Sequence, residues 1–305
     1  MNESELHKHI YARSTGLACG AGWDVEIGPG DDAAVLRSPG GERLVVTVDQ
    51  LVEGRHHEPG EDIGAIARKA IARSVSDLAA MGATPAWGSV TALLRADDDE
   101  ADALFDAMQR WAAHWSCPLI GGDIASWGAG DGARVLTTTI GGSMEPGHEP
   151  VRRSGARHAD LLYLTGRIGG SLASGRHLSF EPRLEHGRWA ASPGSGVRAM
   201  IDLSDGLGRD ADRIATASGV VLELEADALP ISHHAESWRA ACAEGEDYEL
   251  LMCVDASIEP PTDLEPALIG PVGACHACGH DDVPGAFIVD PHGERHAARD
   301  LGWDH

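Results

Sequence analysis

The segment 199–209, AMIDLSDGLGR, constrains the fold most strongly, because it passes from an apolar stretch through two acids and a glycine into helix-forming sequence. Its apolar start is typical of a buried strand, and Gly206 breaks the pattern before a helix. Asp202 and Asp205 therefore lie at a strand-to-helix junction, with Ser204 between them. Carboxylates in this setting suit Mg²⁺, which keeps several waters and is shared with substrate phosphates. The alternative is that Ser204 or Asp205 caps the helix.

Four earlier segments repeat this pattern of acids inside or at the ends of apolar strands and helices. They contribute Asp31 with Asp32, Asp49 with Thr47, Asp77, and Asp123 after the glycine pair that ends in Gly122. Carboxylates that lie close together repel one another, and buried ones lose hydration, so each costs free energy unless a cation lies among them. A glycine pair lets backbone N–H groups approach a phosphate closely. The repetition favours a magnesium and phosphate site over helix capping.

The charge of the chain excludes some classes of function. The net charge is −24 over 305 residues, and among the 24 basic residues only Lys8 and Lys69 are lysines. Such a field repels nucleic acid, so we expect no nucleic-acid partner. It also repels ATP, so a nucleotide site would need bridging cations. Adaptation of the surface to high salt is a second explanation of the acidity that composition leaves open.

No membrane or export signal is visible in the sequence. It holds no apolar run near the ~20 residues of a membrane span, and the opening MNESELHKHI lacks the basic and apolar regions of a signal peptide. We therefore expect a cytoplasmic protein without a membrane partner. The six cysteines include one Cys-x-x-Cys, Cys275 to Cys278, and without a second ligand pair we interpret them as free thiols.

Strand and helix patterns alternate along the chain and predict an α/β (α+β) protein of two domains. Apolar residues at three- and four-residue spacing over 63–80 indicate a helix that carries Asp77 on its apolar side. Residues 118–120 indicate a strand that ends before the glycine pair. A proline-bearing segment at 145–150 reads as the linker between an N-terminal domain, residues 1–148, and a C-terminal domain, residues 149–305.

Three further features have a purely structural interpretation as well as a functional one. The segment 165–171, TGRIGGS, lacks the lysine of a Walker A motif, so we expect a glycine turn in which Ser171 caps a helix. His56, in a polar loop, reads as a surface residue. Trp303, near the end of the chain, is either a lid over a flat ring or a plug on an apolar surface.

Taken together, the motifs resemble those of the thiamine-monophosphate kinase family, in the superfamily that includes aminoimidazole ribonucleotide synthetase. They are IGPGDDAAVL, VTVDQLVEGRHH, SVSDLAAMGATP, LIGGD, RRSGA, IDLSDGL, GEDYEL and GWDH, in the family's order from residue 27 to residue 305. The resemblance implies ATP-dependent phosphorylation of thiamine monophosphate to thiamine diphosphate in a homodimer. It also implies an N-terminal mixed sheet with helices on one side, which pairs across the dimer, and a C-terminal α/β sandwich.

The resemblance also implies roles for single residues. The implied magnesium ligands are Asp31, Asp32, Thr47, Asp49, Asp77, Asp123, Asp202 and Asp205. Gly122, Asp123, Arg153 and Ser204 match positions that contact ATP, whereas His56, Glu246 and Trp303 match positions that contact thiamine phosphate. Several magnesium ions per site, and ATP as co-substrate, follow from the same resemblance.

The chain departs from the family beside these positions. Val48 stands where threonine is common, Glu244 where glycine is common, Ser74 where asparagine is common, and Trp303 where tyrosine is common. Val48 removes an oxygen beside Asp49 and leaves the number of magnesium ions open. Glu244 adds charge near the substrate.

The implied chemistry requires no acid or base residue, because donor and acceptor are both phosphates and the barrier is largely repulsion between anions. Two other interpretations stay open. One is a different ATP-dependent synthetase of the superfamily, against which GEDYEL and the aromatic tail argue. The other is a non-catalytic cation-binding protein, against which the clustering of acids beside glycines argues.

Overall fold

The computed structural model describes residues 3–14, 16–128, 132–279 and 283–303, and its strands form two sheets within these ranges. Helix α1 (Glu3–Arg13) precedes the first sheet. That sheet has the strand order β1-β2-β3-β6-β4-β5, in which β4 and β5 pair in parallel and the other neighbours pair antiparallel. The strands are β1 (Asp24–Ile27), β2 (Ala34–Arg37), β3 (Arg43–Val52), β4 (Thr84–Leu94), β5 (Leu119–Ser126) and β6 (Val135–Ser143).

Helices α2 (Ile63–Ala80) and α3 (Ala101–His114) pack against one face of this sheet. Alternate strand residues such as Val45, Val90 and Ile140 are buried beneath them, as the two-residue period of a strand requires. The opposite face is open, and Val48 is 60% exposed there. The structure confirms the predicted mixed sheet with helices on one side, and α2 has the predicted bounds.

The second sheet has the strand order β13-β12-β9-β11-β7-β10-β8. Its strands are β7 (Leu161–Leu164), β8 (Val197–Asp202), β9 (Val220–Glu225), β10 (Leu250–Val254), β11 (Ile269–Ala277), β12 (Gly285–Val289) and β13 (Arg295–Ala297). The helices of this half are α4 (Ser171–Ser174), α5 (Leu184–Ala191), α6 (Leu207–Ser218) and α7 (Trp238–Ala243). Apolar residues of α6 and α7 form one core with this sheet, whereas the end of α2 and α5 form another. This layout confirms the C-terminal α/β sandwich, while the boundary at residue 148 stays a prediction.

Helix α2 belongs to the packing of both halves. Its apolar residues lie in the core beneath the first sheet, and Phe180 and Tyr248 of the second half enter that same core. The rings of Phe180 and Tyr248 stack with centroids 3.9 Å apart. On another side of α2, Gly187 of α5 lies so close that a Cβ placed there would meet Ala79 O at 2.0 Å.

Two local predictions were wrong. Strand β5 runs through the glycine pair to Ser126 instead of ending before it, because these residues continue the parallel ladder with β4. Ser171 does not cap α4. Gly170 is the N-terminal flanking residue, and the Ser171 hydroxyl instead donates to Glu246 O at 2.7 Å. None of the helices in the described ranges combines the length and apolar character that a membrane crossing requires.

Gly187→Ala should lower the thermal melting temperature, because the added methyl group would collide with the backbone of α2. We expect a loss of about 1 to 3 kcal/mol, the usual cost of overpacking a close contact. Gly128→Ala is the control, since a Cβ at that position meets no atom within 4 Å among the described residues beyond its chain neighbours. Equal melting temperatures for the two variants would contradict the close packing of α2 against α5.

Candidate active site

A cavity of about 610 Å³ opens between the two halves of the protein. It is lined by residues that lie far apart in the sequence and that the sequence analysis had selected. These are Asp31, Asp32, Thr47, Asp49, His56, Asp77, Arg153, Asp202, Ser204, Asp205, Glu246 and Trp303. The fold therefore brings most of the selected residues to one place.

Three carboxylates lie together in the cavity, of which those of Asp32 and Asp202 are buried. Asp32 comes from the loop between β1 and β2, Asp77 from α2 and Asp202 from the end of β8, and they offer oxygens within 4.8 Å of one another. The Oδ2 atom of Asp32 is buried and has no hydrogen-bond partner among the residues that the structure describes. A buried carboxylate oxygen without a partner is costly, so these three acids form an oxygen-rich site that suits a hard cation.

Burial and mutual repulsion perturb the titration of these acids. Burial raises the pKa of Asp77 well above its usual value, and the charges of Asp49 and Asp202 raise it further. Burial, followed by the charge of Asp32, likewise raises the pKa of Asp202. The pKa of Asp31 rises to about 6, chiefly through burial and then through the charge of Asp32. Without a cation, the folded protein therefore holds this cluster partly protonated.

Hydroxyl groups orient the carboxylates. Ser74 of α2 donates to Asp49 Oδ2 at 3.0 Å, and Ser76 of the same helix donates to Asp202 Oδ2 at 2.7 Å. The hydroxyl of Thr47 donates to Asp77. Ser74 thus supplies a hydrogen-bond donor to the acid on β3.

Arginines pair with the acids at the rim of the cluster. Arg153 donates from Nη2 to Asp32 Oδ1 at 2.6 Å, and its backbone N–H donates to Asp31 at 3.0 Å. Arg213 pairs with Asp205 and, at 2.5 Å, with Asp210. Sequence reasoning missed Arg213, although its three-residue spacing from Asp210 in α6 is a recognisable ion-pair signal.

The N-cap residue of α6 is Gly206, and the start of this helix has no side-chain capping hydrogen bond. Neither Ser204 nor Asp205 therefore caps the helix. The carboxylate of Asp205 instead pairs with Arg213, and Ser204 lines the cavity. This placement removes the helix-capping alternative for the segment 199–209.

A second group of polar residues lies at another side of the cavity. The backbone N–H of Val52 donates to His56 Nδ1 at 2.9 Å, which leaves the proton of a neutral His56 ring on Nε2 as a donor. The carboxylate of Glu246 pairs with Lys69, a residue that the sequence analysis did not select. Burial alone would raise the pKa of Glu246, but His177 and Lys69 outweigh it and hold this pKa at about 2.

Acidic side chains occupy the glycine loop that joins β7 to α4. The backbone N–H of Gly169 donates to Asp247 at 2.9 Å. Glu244 accepts from Gly170 N at 2.6 Å and from Leu172 N at 2.9 Å. Since protein carboxylates satisfy these donors, the loop does not offer them to a phosphate. Glu244 thus bridges two segments of the second half.

Gly122 and Asp123 lie outside the lining of the cavity. Asp123 on β5 is in register with Thr91 and, through β6, with Gln50 on β3, so it projects from the open face of the sheet. Asp49 is one residue out of that register and projects from the opposite face, beneath α2. Asp123 is also three strand spacings from β3, roughly 14 Å. Within one chain it therefore does not join the acid cluster.

Trp303 lies at the mouth of the cavity, where its side chain is half exposed. Its backbone N–H donates to Asp205 O at 3.0 Å, and its carbonyl accepts from Arg209. Both contacts attach the C-terminal segment to the α6 region of the site.

Comparison with known proteins places these features in a family context. The model of the AIR synthase related protein, N-terminal domain, matches residues 30–144. A thiamine-monophosphate kinase of Rhodopirellula baltica is 37% identical over 261 residues, which cover 78% of this chain and 80% of that protein. The thiamine-monophosphate kinase of Escherichia coli K12 is 34% identical over 92% of both chains. A solved structure of AaThiL complexed with AMPPCP and TMP has the same fold, with a TM-score of 0.80 at 24% identity over 100% of this chain and 97% of that chain.

In the metal-free protein, stability should fall as the pH is raised from about 4 to about 7. The pKa of Asp31 is raised from 3.8 to about 6 and that of Asp210 to about 7, each chiefly by burial. The folded state therefore binds protons that the unfolded state releases, and this contribution is lost as the pH passes through the raised values.

Asp31→Asn should flatten this pH dependence, because the amide keeps the acceptor for Arg153 N and removes the titrating group. Melting curves in chelator across the pH range measure the effect. Asp99→Asn, at an exposed position outside the cavity, is the matched control. A curve for Asp31→Asn with the wild-type slope would contradict the role given to Asp31.

Proposed function

The chain belongs to the thiamine-monophosphate kinase family, and from this premise we propose how its cavity binds a nucleotide donor beside a phosphate acceptor. The reaction is the ATP-dependent phosphorylation of thiamine monophosphate to thiamine diphosphate. The acceptor oxygen belongs to a phosphate that is already ionised, so the transfer needs no general base. We propose a direct, in-line transfer in the cytoplasm, with the two substrates bound side by side.

The observation that carries this proposal is the buried cluster of Asp32, Asp77 and Asp202 with its unpartnered oxygen. These residues fit Mg²⁺, and Asp31, Thr47, Asp49 and Asp205 lie around them in the same cavity. When bound there, Mg²⁺ supplies positive charge that offsets the repulsion between the two phosphates. Several ions per site agree with the number of acids, although Val48 offers no oxygen beside Asp49.

We assign the donor side of the cavity to Arg153 and Ser204. The guanidinium of Arg153 is held by Asp32 at the edge of the acid cluster, which orients a fixed positive charge toward the cavity. The backbone and hydroxyl of Ser204 lie beside Asp205, where α6 begins. Together these groups bind and orient phosphate oxygens, which is the larger part of catalysis in phosphoryl transfer.

We assign the acceptor side to His56, Glu246 and Trp303. A neutral His56 presents its Nε2 proton as a donor to a phosphate oxygen, because Nδ1 already accepts from Val52. Glu246 is ionised and supplies a negative charge for a cationic ring, and the face of Trp303 attracts the same ring. These complementary groups match an acceptor with a phosphate at one end and a thiazolium at the other.

We further propose that the protein is a homodimer, with the open face of the first sheet at the interface. The exposed apolar residue Val48 lies on this face of β3 and suits burial against a second copy. Gly122 and Asp123 do not line the cavity of their own chain, and in a dimer they could instead reach the site of the second copy. Their roles in binding ATP and metal depend on this assembly.

An assay of thiamine monophosphate with ATP and Mg²⁺, analysed for thiamine diphosphate, tests the proposed function. Product formation that requires both substrates and stops in the presence of a chelator is the expected result. Full activity after exhaustive chelation would contradict the role of the acid cluster, and absence of product would overturn the proposed function.

Asp49→Asn and Asp202→Asn should each abolish turnover and keep the fold, because a neutral amide is a much weaker magnesium ligand. The melting temperature in chelator should equal or exceed that of the wild type, since each change removes repulsion within the cluster. Mg²⁺ titration by calorimetry should show weaker binding in both variants, with Asp99→Asn as the control. Near-normal turnover at limiting Mg²⁺ in either variant would remove that residue from the metal site.

Trp303→Ala should weaken thiamine monophosphate binding about 2- to 30-fold, which corresponds to a cation–π contact of roughly 0.5 to 2 kcal/mol. Trp303→Phe should recover most of the loss, and the Michaelis constant for ATP should hardly change in either variant. If Trp303 is only an apolar plug, Trp303→Ala will lower the melting temperature and leave the Michaelis constant for thiamine monophosphate unchanged.

A further inference from the structure

Lys69 is a buried cation behind the acceptor side of the cavity. Its side chain is fully buried on α2, and it is one of two lysines among the 24 basic residues of the chain. A charged side chain is rarely buried completely unless it is paired. In a chain that otherwise uses arginine, a lysine at this position points to a requirement for the compact ammonium group.

The ammonium group of Lys69 joins three separate segments of the chain. It donates to His56 O at 2.5 Å, lies 3.0 Å from His177 Nδ1 and pairs with the carboxylate of Glu246. An ammonium has three N–H donors, so it can donate to His56 O and to Glu246 and still lie beside His177. The planar fork of an arginine would not reach three acceptors that converge on one point.

Two of these partners belong to residues that we assign to the acceptor. His56 is held through its backbone carbonyl, and Glu246 through Oε2 of its side chain. Glu246 also has a positive φ of 66°, which an L-residue adopts only when its surroundings hold it there. One buried cation on α2 thus fixes a loop of the first half against a strained residue of the second half.

We propose that Lys69 is a positioning residue for thiamine monophosphate, which it holds in place indirectly by fixing His56 and Glu246 across the two halves of the site. The inference rests on the proposed function. Lys69 does not line the cavity, so it acts through these two residues and makes no contact with the acceptor. The acid cluster and Arg153 have no contact with its ammonium group, so the donor side does not depend on it.

Lys69→Met, which keeps the length of the side chain and removes the ammonium group, tests this role. The Michaelis constant for thiamine monophosphate should rise about 10- to 100-fold, the range that a ~1 Å misplacement from a remote substitution produces. The Michaelis constant for ATP should stay close to the wild-type value. Lys69→Gln, which keeps an amide donor, should recover part of the loss and serves as the second variant if Lys69→Met does not fold.

Arg68→Met is a matched control from the next position of the same helix. Arg68 is also largely buried and also bridges the two halves, through Glu181, but it does not line the cavity or contact His56 or Glu246. This variant should lower the melting temperature and leave the Michaelis constant for thiamine monophosphate unchanged. Equal effects of Arg68→Met and Lys69→Met on that constant would reduce Lys69 to a structural residue and overturn the inference.

A double-variant cycle separates positioning from independent binding. In the Lys69→Met background, Glu246→Gln should add little to the loss of thiamine monophosphate affinity, because Glu246 is already displaced. Additive effects would overturn the inference. Wild-type turnover with an unchanged Michaelis constant in Lys69→Met would overturn the positioning role and leave the proposed function intact. A wild-type protein that forms no thiamine diphosphate would overturn both.

Discussion

Repulsion among buried carboxylates is the constraint on which the rest of this structure depends. Asp32, Asp77 and Asp202 approach within reach of one cation, although each would be more stable in water. Hydroxyl donors on α2 and β3 and the guanidinium of Arg153 keep the cluster together in the folded chain. The unpartnered oxygen and the raised pKa values show that the cluster lowers the stability of the folded protein when no cation is bound. The same arrangement of oxygens is what suits the site to a cation.

Much of the fold could be predicted because periodicity reports burial directly. The helix over 63–80 has the predicted bounds, since apolar spacing there is unambiguous. Glycine misled the prediction of β5, because glycines can follow a strand in a turn or continue it in a ladder, and only the pairing with β4 decides between the two. Ser171 shows a similar ambiguity, because its hydroxyl had a tertiary acceptor, Glu246 O, that local sequence does not reveal.

Only some of the site residues could be predicted, again because a sequence does not reveal tertiary partners. Acids inside apolar segments are conspicuous in a sequence, so Asp49, Asp77 and Asp202 could be selected before their positions were known. Lys69 could not be selected, because a basic residue on a helix usually faces solvent and its partners lie on other elements. For Arg213, the only local signal was its spacing from Asp210 on the same helix. Asp123 illustrates the opposite limit, since its sequence pattern matches the other acids while the sheet directs it away from them.

The packing of helix α2 limits how far the two halves of the protein can act as separate modules. Phe180 and Tyr248 complete a core beneath the first sheet, and α5 packs without a gap against the other side of the same helix. A fragment ending near residue 148 would therefore expose the apolar surface that Phe180 and Tyr248 cover in the whole protein. The complementary fragment would lack the end of α2, which forms part of one of its cores. The two sheets look like separate modules, but their shared packing on α2 predicts that they unfold together. Substitutions on α2 are consequently constrained from both sides, and the halves of such a protein must evolve together.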